Sequence, residues 1–361
     1  MKRLSSYLSA ALVVLLMAVS VVPASAATSS SSTAGSSGLS IQPRKNYVIN
    51  PGESVTDKLI IGNLDNSVGL SLSLRMIDFT YSDQSGTPKL NIAANAPQLP
   101  WSIKPFTTLP KSVDIGPGES KTISYTIKIP KNLGAGSYYS AIMYQASGAN
   151  GGNVALNASG VTLAFVSVPG QVKENMTLQK LGAYNSENNG TTGSFVYVAM
   201  NEQPKMIAYT LKNEGNVFES PAGDITLKDL FGHKVADIPT NSTQALALLG
   251  QTRLFASCIK TVQQKIKLEG GTSKDTSCTN PHLMPGRYTA SMDVFYGQNG
   301  NQTHEITAVA HFWYLPIWFL VLLLVVLLAL GGGGYWAYRK VQVAVKGTTY
   351  KAGLGISRRK R

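Results

Sequence analysis

The chain has 361 residues, with 32 Lys or Arg against 19 Asp or Glu, a formal net charge of +13. A pI of 9.6 invites a nucleic-acid reading, but the excess sits at the two ends. Lys2, Arg3 and the eight basic residues from Arg339 to Arg361 lie in stretches without acids, and the 22 basic residues between them face all 19 acids; the charge is then mostly a statement about topology, and no nucleic-acid partner is expected.

In chain order, the first feature is an export signal. Lys2 and Arg3 precede an uncharged stretch from Leu4 to Val22, closed by Pro23-Ala24-Ser25-Ala26. A basic start, a short apolar core and an Ala-x-Ala end make a signal peptide over 1–26. An uncleaved anchor is the alternative. Ser29 to Gly38 completes a Ser/Gly-rich flexible leader, 27–38.

From Leu39 the periodicity is two. Leu70, Leu72, Leu74 and Met76 alternate with Ser71, Ser73 and Arg75, and Ile123, Tyr125, Ile127 and Ile129 with Thr122, Ser124, Thr126 and Lys128. Ile207, Tyr209 and Leu211 continue the pattern, as do Tyr288, Ala290, Met292, Val294 and Tyr296. One apolar and one wet face mark antiparallel strands of a sandwich or barrel. The fold class is therefore all-β, with length for two domains: 39–170 and 171–311, divided near Pro169-Gly170-Gln171. Thr243 to Gly250 is the one segment outside the membrane that reads as helix or strand edge. Gly148 to Asn153 reads as a long loop.

Two Pro-Gly turns repeat. Ile49-Asn50-Pro51-Gly52-Glu53-Ser54 and Ile115-Gly116-Pro117-Gly118-Glu119-Ser120 each precede a strand. Proline sets the second turn position and glycine accepts the positive φ of the third, so each turn aims the strand after it. In the second half, Lys212-Asn213-Glu214-Gly215-Asn216, Asp229-Leu230-Phe231-Gly232-His233 and Met284-Pro285-Gly286-Arg287-Tyr288 mark further turns.

No charge occurs between His311 and Arg339. An apolar run of this length spans a bilayer, and aromatic residues close it at Phe312-Trp313-Tyr314 and Tyr335-Trp336-Ala337-Tyr338. The expected transmembrane helix is 312–338 and the basic tail 339–361 is cytoplasmic, which leaves the domains outside the cell.

Cys258 and Cys278 are the only cysteines. Outside the cell such a pair favours a structural disulfide. The histidines His233, His282, His304 and His311 have no metal-ligand spacing. There is no nucleophile elbow, P-loop or dinucleotide fingerprint, and Gly331 to Gly334 lies at the membrane boundary. The acids Asp78 with Asp83, or Asp224 with Asp229, are the candidates for a hydrolase pair. Tyr138, Tyr139 and Tyr144 are the candidates for sugar stacking. Asn157, Asn175, Asn189, Asn241 and Asn301 stand in Asn-x-Ser/Thr triplets. No catalytic, cofactor or metal site is expected, and the ligand-binding residues stay open.

Ile41-Gln42-Pro43, Pro51-Gly52-Glu53, Gly62-Asn63-Leu64-Asp65-Asn66, Trp101, Pro117-Gly118-Glu119 and Gly136-Ser137-Tyr138-Tyr139 follow one another in the first domain. Asn213-Glu214-Gly215-Asn216-Val217, Pro221-Ala222-Gly223-Asp224-Ile225 and Pro285-Gly286-Arg287-Tyr288 follow in the second. With a signal, one C-terminal span and a basic tail, the chain resembles the WxL-interacting proteins of Gram-positive bacterial surfaces. The resemblance implies two tandem immunoglobulin-like sandwiches, a first domain bound to peptidoglycan and a second bound to host or partner proteins. Tyr81 to Gly86 matches that family's Tyr/Gly-rich segment only loosely. The expected function is a membrane-anchored surface protein that binds cell-wall polymer or a partner surface protein, without catalysis. The alternatives are a tethered chaperone or assembly scaffold acting by strand addition and, below it, an exported hydrolase.

Overall fold

A computed structural model describes residues 38–93, 95–146, 159–186, 192–268, 271–297 and 303–352. The signal segment, almost all of the leader, the Gly148 to Asn153 loop and the last residues of the tail lie outside the described residues.

The first sandwich contains β1 (Leu39–Ser40), β2 (Arg44–Val48), β3 (Ser54–Asn63), β4 (Leu70–Ile77), β5 (Phe79–Tyr81), β6 (Pro88–Leu90), β7 (Thr107–Thr108), β8 (Ser112–Ile115), β9 (Ser120–Lys128), β10 (Gly136–Ala146) and β11 (Ser159–Val168). The second contains β12 (Met176–Ser186), β13 (Gly193–Val196), β14 (Val198–Ala199), β15 (Met206–Asn213), β16 (Ala222–Lys228), β17 (Lys234–Thr240), β18 (Thr252–Cys258), β19 (Thr261–Leu268), β20 (Gly271–Cys278), β21 (Gly286–Tyr296) and β22 (His304–Tyr314). A helix, α1 (Ile317–Ala352), follows.

The sheet order repeats. In the first sandwich β1-β3-β9-β7 faces β2-β11-β10-β4-β8. In the second, β13-β12-β15-β18 faces β14-β22-β21-β16-β17. In each, a short strand runs parallel to the last long one, β2 beside β11 and β14 beside β22. Alternation explains the cores. Leu70, Leu72 and Leu74 from β4 meet Ile123, Tyr125 and Ile127 from β9, and Ile207, Tyr209 and Leu211 meet Tyr288, Ala290 and Met292.

Side-chain locks repeat as well. The amide of Asn63 donates to the carbonyls of Val68 and Gly116 at 2.7 and 3.0 Å and accepts from the Asp65 N–H at 3.0 Å. Asn213 donates to Val217 and Ala247 at 2.7 and 2.9 Å and accepts from Gly215 at 2.9 Å. Tyr138 reaches back to the Gly134 carbonyl at 2.9 Å and Tyr288 to that of Met284 at 2.7 Å. This is the tyrosine corner of immunoglobulin-like sandwiches. Each follows a glycine of positive φ, Gly136 at 152° and Gly286 at 156°. Gly52 and Gly118 have φ of 89° and 66°, as the Pro-Gly turns require.

The two sandwiches belong to one compact unit. The outer face of β10 and β11 is not wet. Phe79, Tyr139, Ala141, Met143 and Phe165 form a cluster with Leu246 and Leu248 of the second sandwich. Thr243 to Gly250 is therefore neither helix nor strand. It is a turn-rich segment held to Glu219 by an isolated bridge at Ala247, and its leucines are buried against the neighbour because their backbone has no ladder of its own.

The expected span from Phe312 to Tyr338 is corrected at its start. Phe312 and Tyr314 are 1% and 6% exposed and complete the second core from β22. Alternation with Trp313 keeps this stretch extended until Pro316, which stands immediately before the helix, where its missing N–H costs little. Ile317–Val343 is long and apolar enough to cross a membrane, with mean hydropathy 2.5, and buries nothing against the sandwiches. The helix then continues through Tyr338 into the basic stretch, to Ala352.

Glu219 is a buried acid, 1% exposed, at the end of the second sandwich that meets the first. Its Oε2 accepts from the Gly297 N–H at 3.2 Å. Burial, with Glu174 beside it, pushes its pKa up to about 8; Glu174 in turn pairs with His304 at 3.2 Å. The folded chain then holds a proton that the unfolded chain releases near pH 4.5. The contribution is full below pH 4.5 and is lost as pH rises through 8. Glu219→Gln keeps the acceptor and removes the charge. Thermal unfolding should show unchanged stability at pH 4.5 and a gain on the order of 3 kcal/mol at pH 8. An equal effect at both pH values refutes the assignment.

Candidate functional site

The acids and histidines singled out by sequence do not converge. Asp78 accepts from Ser140 Oγ at 2.9 Å and the Leu99 N–H at 3.0 Å, whereas Asp83 closes its own turn through Ser82, Ser85 and Thr87. Those hydroxyl and amide donors hold Asp83 well below the usual carboxylate range. Asp224 lies within the β16 ladders, and Asp229 closes the turn to His233. Among the described residues no group of three His, Cys, Asp or Glu could hold a metal. Tyr139 and Tyr144 are fully buried and half-buried Tyr138 is the corner residue, so the three do not form one exposed stacking face. Of the described Asn-x-Ser/Thr asparagines, Asn175 contacts Glu214 at 3.4 Å, and Asn241 spends its amide on Ser220, Pro221 and Ala245.

A groove lies on the outer face of β12, β15 and β18. Tyr184, Ala208 and Leu254 cluster there with Met206 and Cys278, and Phe195 from β13 packs on them. The disulfide Cys258–Cys278, with Cα atoms 5.2 Å apart, ties the base of the β19–β20 hairpin to this face. A groove of about 570 Å³ runs between Tyr184, Phe195 and Tyr197 on one side and Thr210, Thr252 and Leu254 on the other, with Gln84, Gln179 and Lys180 at its rim. Tyr184 and Phe195 meet edge to face at 5.3 Å, and Lys180 Nζ sits 5.7 Å from the Phe195 ring. Gly193 lets β13 close on β12, since a Cβ there would fall 2.0 Å from the Asn185 carbonyl oxygen.

One wall belongs to the first sandwich. The Leu254 N–H donates to the Gln84 carbonyl at 2.7 Å. Beside it the Arg253 guanidinium lies 4.6 Å over the Tyr81 ring, the Tyr81 N–H donates to Gln251 Oε1 at 3.1 Å and its hydroxyl to the Leu246 carbonyl at 3.3 Å. Burial raises the Tyr81 pKa against the pull of Arg253 and Arg44. A Cβ on Gly86 would lie 1.4 Å from Arg253 Nη1. The Tyr81 to Gly86 loop thus clamps the two sandwiches and covers the β18 edge.

The groove meets an open strand edge at Tyr197. The Trp313 N–H donates to the Tyr197 carbonyl at 2.8 Å and Leu315 to Ala199 at the same distance. β14 pairs only with Trp313 and Tyr314. By the period of two, Glu305, Thr307, Val309 and His311 aim their backbone groups the same way, away from β21, and have no strand partner among the described residues. Three other edges carry features that hinder pairing. β17 carries Lys234, Asp237 and Pro239, β2 carries Arg44 and Lys45, and β18 is held by Gln84. β22 has no proline and pairs with β21 without a bulge over its whole length. An edge left open in this way is a template for another strand.

Sequence reasoning did not find Tyr184, Phe195 or Tyr197. Their only local signal is aromatic alternation at Phe195 and Tyr197 beside a glycine, in strands too short to show a period.

No family model matches the chain, and no curated protein matches it. Among solved structures, PapD-like domain 7 of human CEP192 is 14% identical, with a TM-score of 0.28 over 42% of this chain and 98% of that one. The class 5 fimbriae chaperone CfaA is 10% identical, TM-score 0.32, over 75% and 98%. The E. coli chaperone DraB is 13% identical, TM-score 0.29, over 67% and 99%. Likenesses at this level carry no argument; the fold stands on the sheet order and the paired corners.

Gly86→Ala should force Arg253 off Tyr81 and strain a backbone at φ +83°, at a cost of about 1–2 kcal/mol. Hydrogen exchange should then quicken at the Leu254 amide while the β21 amides stay protected. Unchanged protection at Leu254 would count against the clamp.

Proposed function

We propose that the chain is a membrane-anchored, non-catalytic binding protein whose second sandwich captures an extended segment of a partner protein along β22. The observation that carries this reading is the edge from Glu305 to His311, which has no outer strand partner among the described residues, is continuous with β14 and is flanked by the groove at Tyr197. An added strand would extend the line that β14 begins, pairing with the outward backbone groups. Side chains of the added segment at one end would reach Tyr197 and the groove. In this reading α1 crosses the membrane once, the export signal places both sandwiches outside the cell, and the tail stays within it. The relationship to WxL-interacting proteins belongs to the same proposal.

A second reading rests on the groove itself. Tyr184, Phe195 and the two-thirds exposed ring of Tyr197 lie among amides and hydroxyls, the side chains that hold a polyhydroxylated polymer. It retains the cell wall as ligand, but places the contact on the second sandwich.

The two readings separate experimentally. A photo-crosslinker at Val309 in native membranes should yield adducts to one extended partner segment, mapped by mass spectrometry. Val309→Pro removes an edge N–H without touching the core, so the fold should persist and partner recovery from those membranes should fall at least tenfold. Equal recovery by Val309→Pro sinks the strand reading. If Tyr197→Ala instead abolishes co-sedimentation with isolated cell wall, the groove reading stands.

A further inference from the structure

The end of the second sandwich opposite the first carries exposed apolar side chains that neither the groove nor the open edge uses. Phe231 is 82% exposed, Met284 74%, Leu230 56% and Met200 48%. Scattered singly, such residues mean little. Sheet register places these four together. Tyr314, the last residue of β22, pairs with Gly286, two residues after Met284. Ala199 pairs with Tyr314, and Met200 follows it. Lys228 pairs with Thr289, so the turn bearing Leu230 and Phe231 projects past the same end. The Tyr288 hydroxyl bonds the Met284 carbonyl at 2.7 Å, which holds that tip against the start of β21.

Phe231 is not exposed through disorder. Asp229 Oδ1 accepts from the N–H of both Phe231 and His233, at 2.9 and 2.8 Å, so the tip is held rigid with its ring outward. Two residues, Leu315 and Pro316, separate this end from α1, whose span buries nothing against the sandwich and so leads away from it. Trp313 and Trp318 flank the junction, 41% and 59% exposed, where aromatic residues meet headgroups.

We infer that the tips carrying Met200, Leu230, Phe231 and Met284 rest in the headgroup layer of the bilayer that α1 crosses, seating the second sandwich on the membrane. This rests on the anchor reading above. The occupant is lipid because the tips surround the point where the chain enters it. Seating fixes the open β22 edge upright over the surface and lifts the first sandwich outward by the length of the second.

The test uses the full chain in phosphatidylcholine vesicles, spin-labelled in turn at Phe231→Cys, Met284→Cys, Leu324→Cys and Val48→Cys, with the native disulfide kept oxidised. All four positions are exposed, so folding is preserved. Collision with dissolved oxygen against an aqueous nickel complex reads depth. The expected result puts 324 in the hydrocarbon, 48 in water, and 231 and 284 within about 5–10 Å of the headgroup boundary on the lipid side. If 231 and 284 are as aqueous as 48 while 324 lies in lipid, the seating is wrong and the anchor stands. If 324 is itself aqueous, the anchor fails and the seating with it.

Discussion

The contact between the Tyr81 to Gly86 loop and β18 organises the rest of the two sandwiches. It joins a backbone hydrogen bond, Leu254 to Gln84, with a guanidinium stacked on Tyr81. Each is modest alone. Behind them lies the apolar cluster of Phe79, Tyr139 and Phe165 with Leu246 and Leu248, where burial supplies the larger and non-directional term. The polar contacts fix the register at which that cluster closes. Arg44 adds a bond to the Gln244 carbonyl at 3.2 Å and lies 5.2 Å from the Phe165 ring, so the same cluster is pinned from a second side.

Docking decides which surfaces stay free. A sandwich has edge strands wherever its sheets do not close, and each unpaired edge invites association. Here the loop of one domain covers β18 of the next, charge and proline blunt β17, and charge blunts β2. From Glu305 to His311, β22 has no strand partner on its outer side among the described residues. Its core-facing residues Ile306 and Ala308 still pack inward, so a strand added outside would not disturb the interior. The groove has the same origin, since Gln84 supplies its rim only when the sandwiches are docked. The groove and the interdomain joint are thus one construction.

The sequence disclosed what depends on local pattern. Alternation at Leu70 to Met76 and at Tyr288 to Tyr296 marked strands, and the two Pro-Gly turns marked where strands begin. It missed what depends on partners distant in the chain. Tyr138 and Tyr139 are adjacent, yet one forms a corner and the other joins the interdomain cluster; pleating separates them, and nothing local says which face a second domain covers. Leu246, Leu248 and Leu249 suggested helix or strand because their burial comes from the neighbouring sandwich. Tyr184, Phe195 and Tyr197 converge only after β13 folds back on β12.

The junction at Phe312 to Ile317 shows why composition alone misplaces the start of the span. Hydropathy cannot separate a residue buried in protein from one buried in lipid, and Phe312 and Tyr314 satisfy both descriptions. Period decides. Phe312 and Tyr314 point inward while Trp313 and Val309 point outward, a two-residue rhythm that no helix shares. The strand therefore carries its hydrogen-bond ladder to Tyr314, where the Ala199 carbonyl still takes up the Leu315 N–H. Pro316 then begins a helix whose first turn is closed by Phe319 and Leu320 bonding back to its carbonyl. The Leu315, Phe319 and Leu320 N–H groups are thus all taken up across the junction. A link this short couples the sandwich to the helix, so the tilt of one constrains the other, and the open edge inherits a defined height above whatever surface the helix enters.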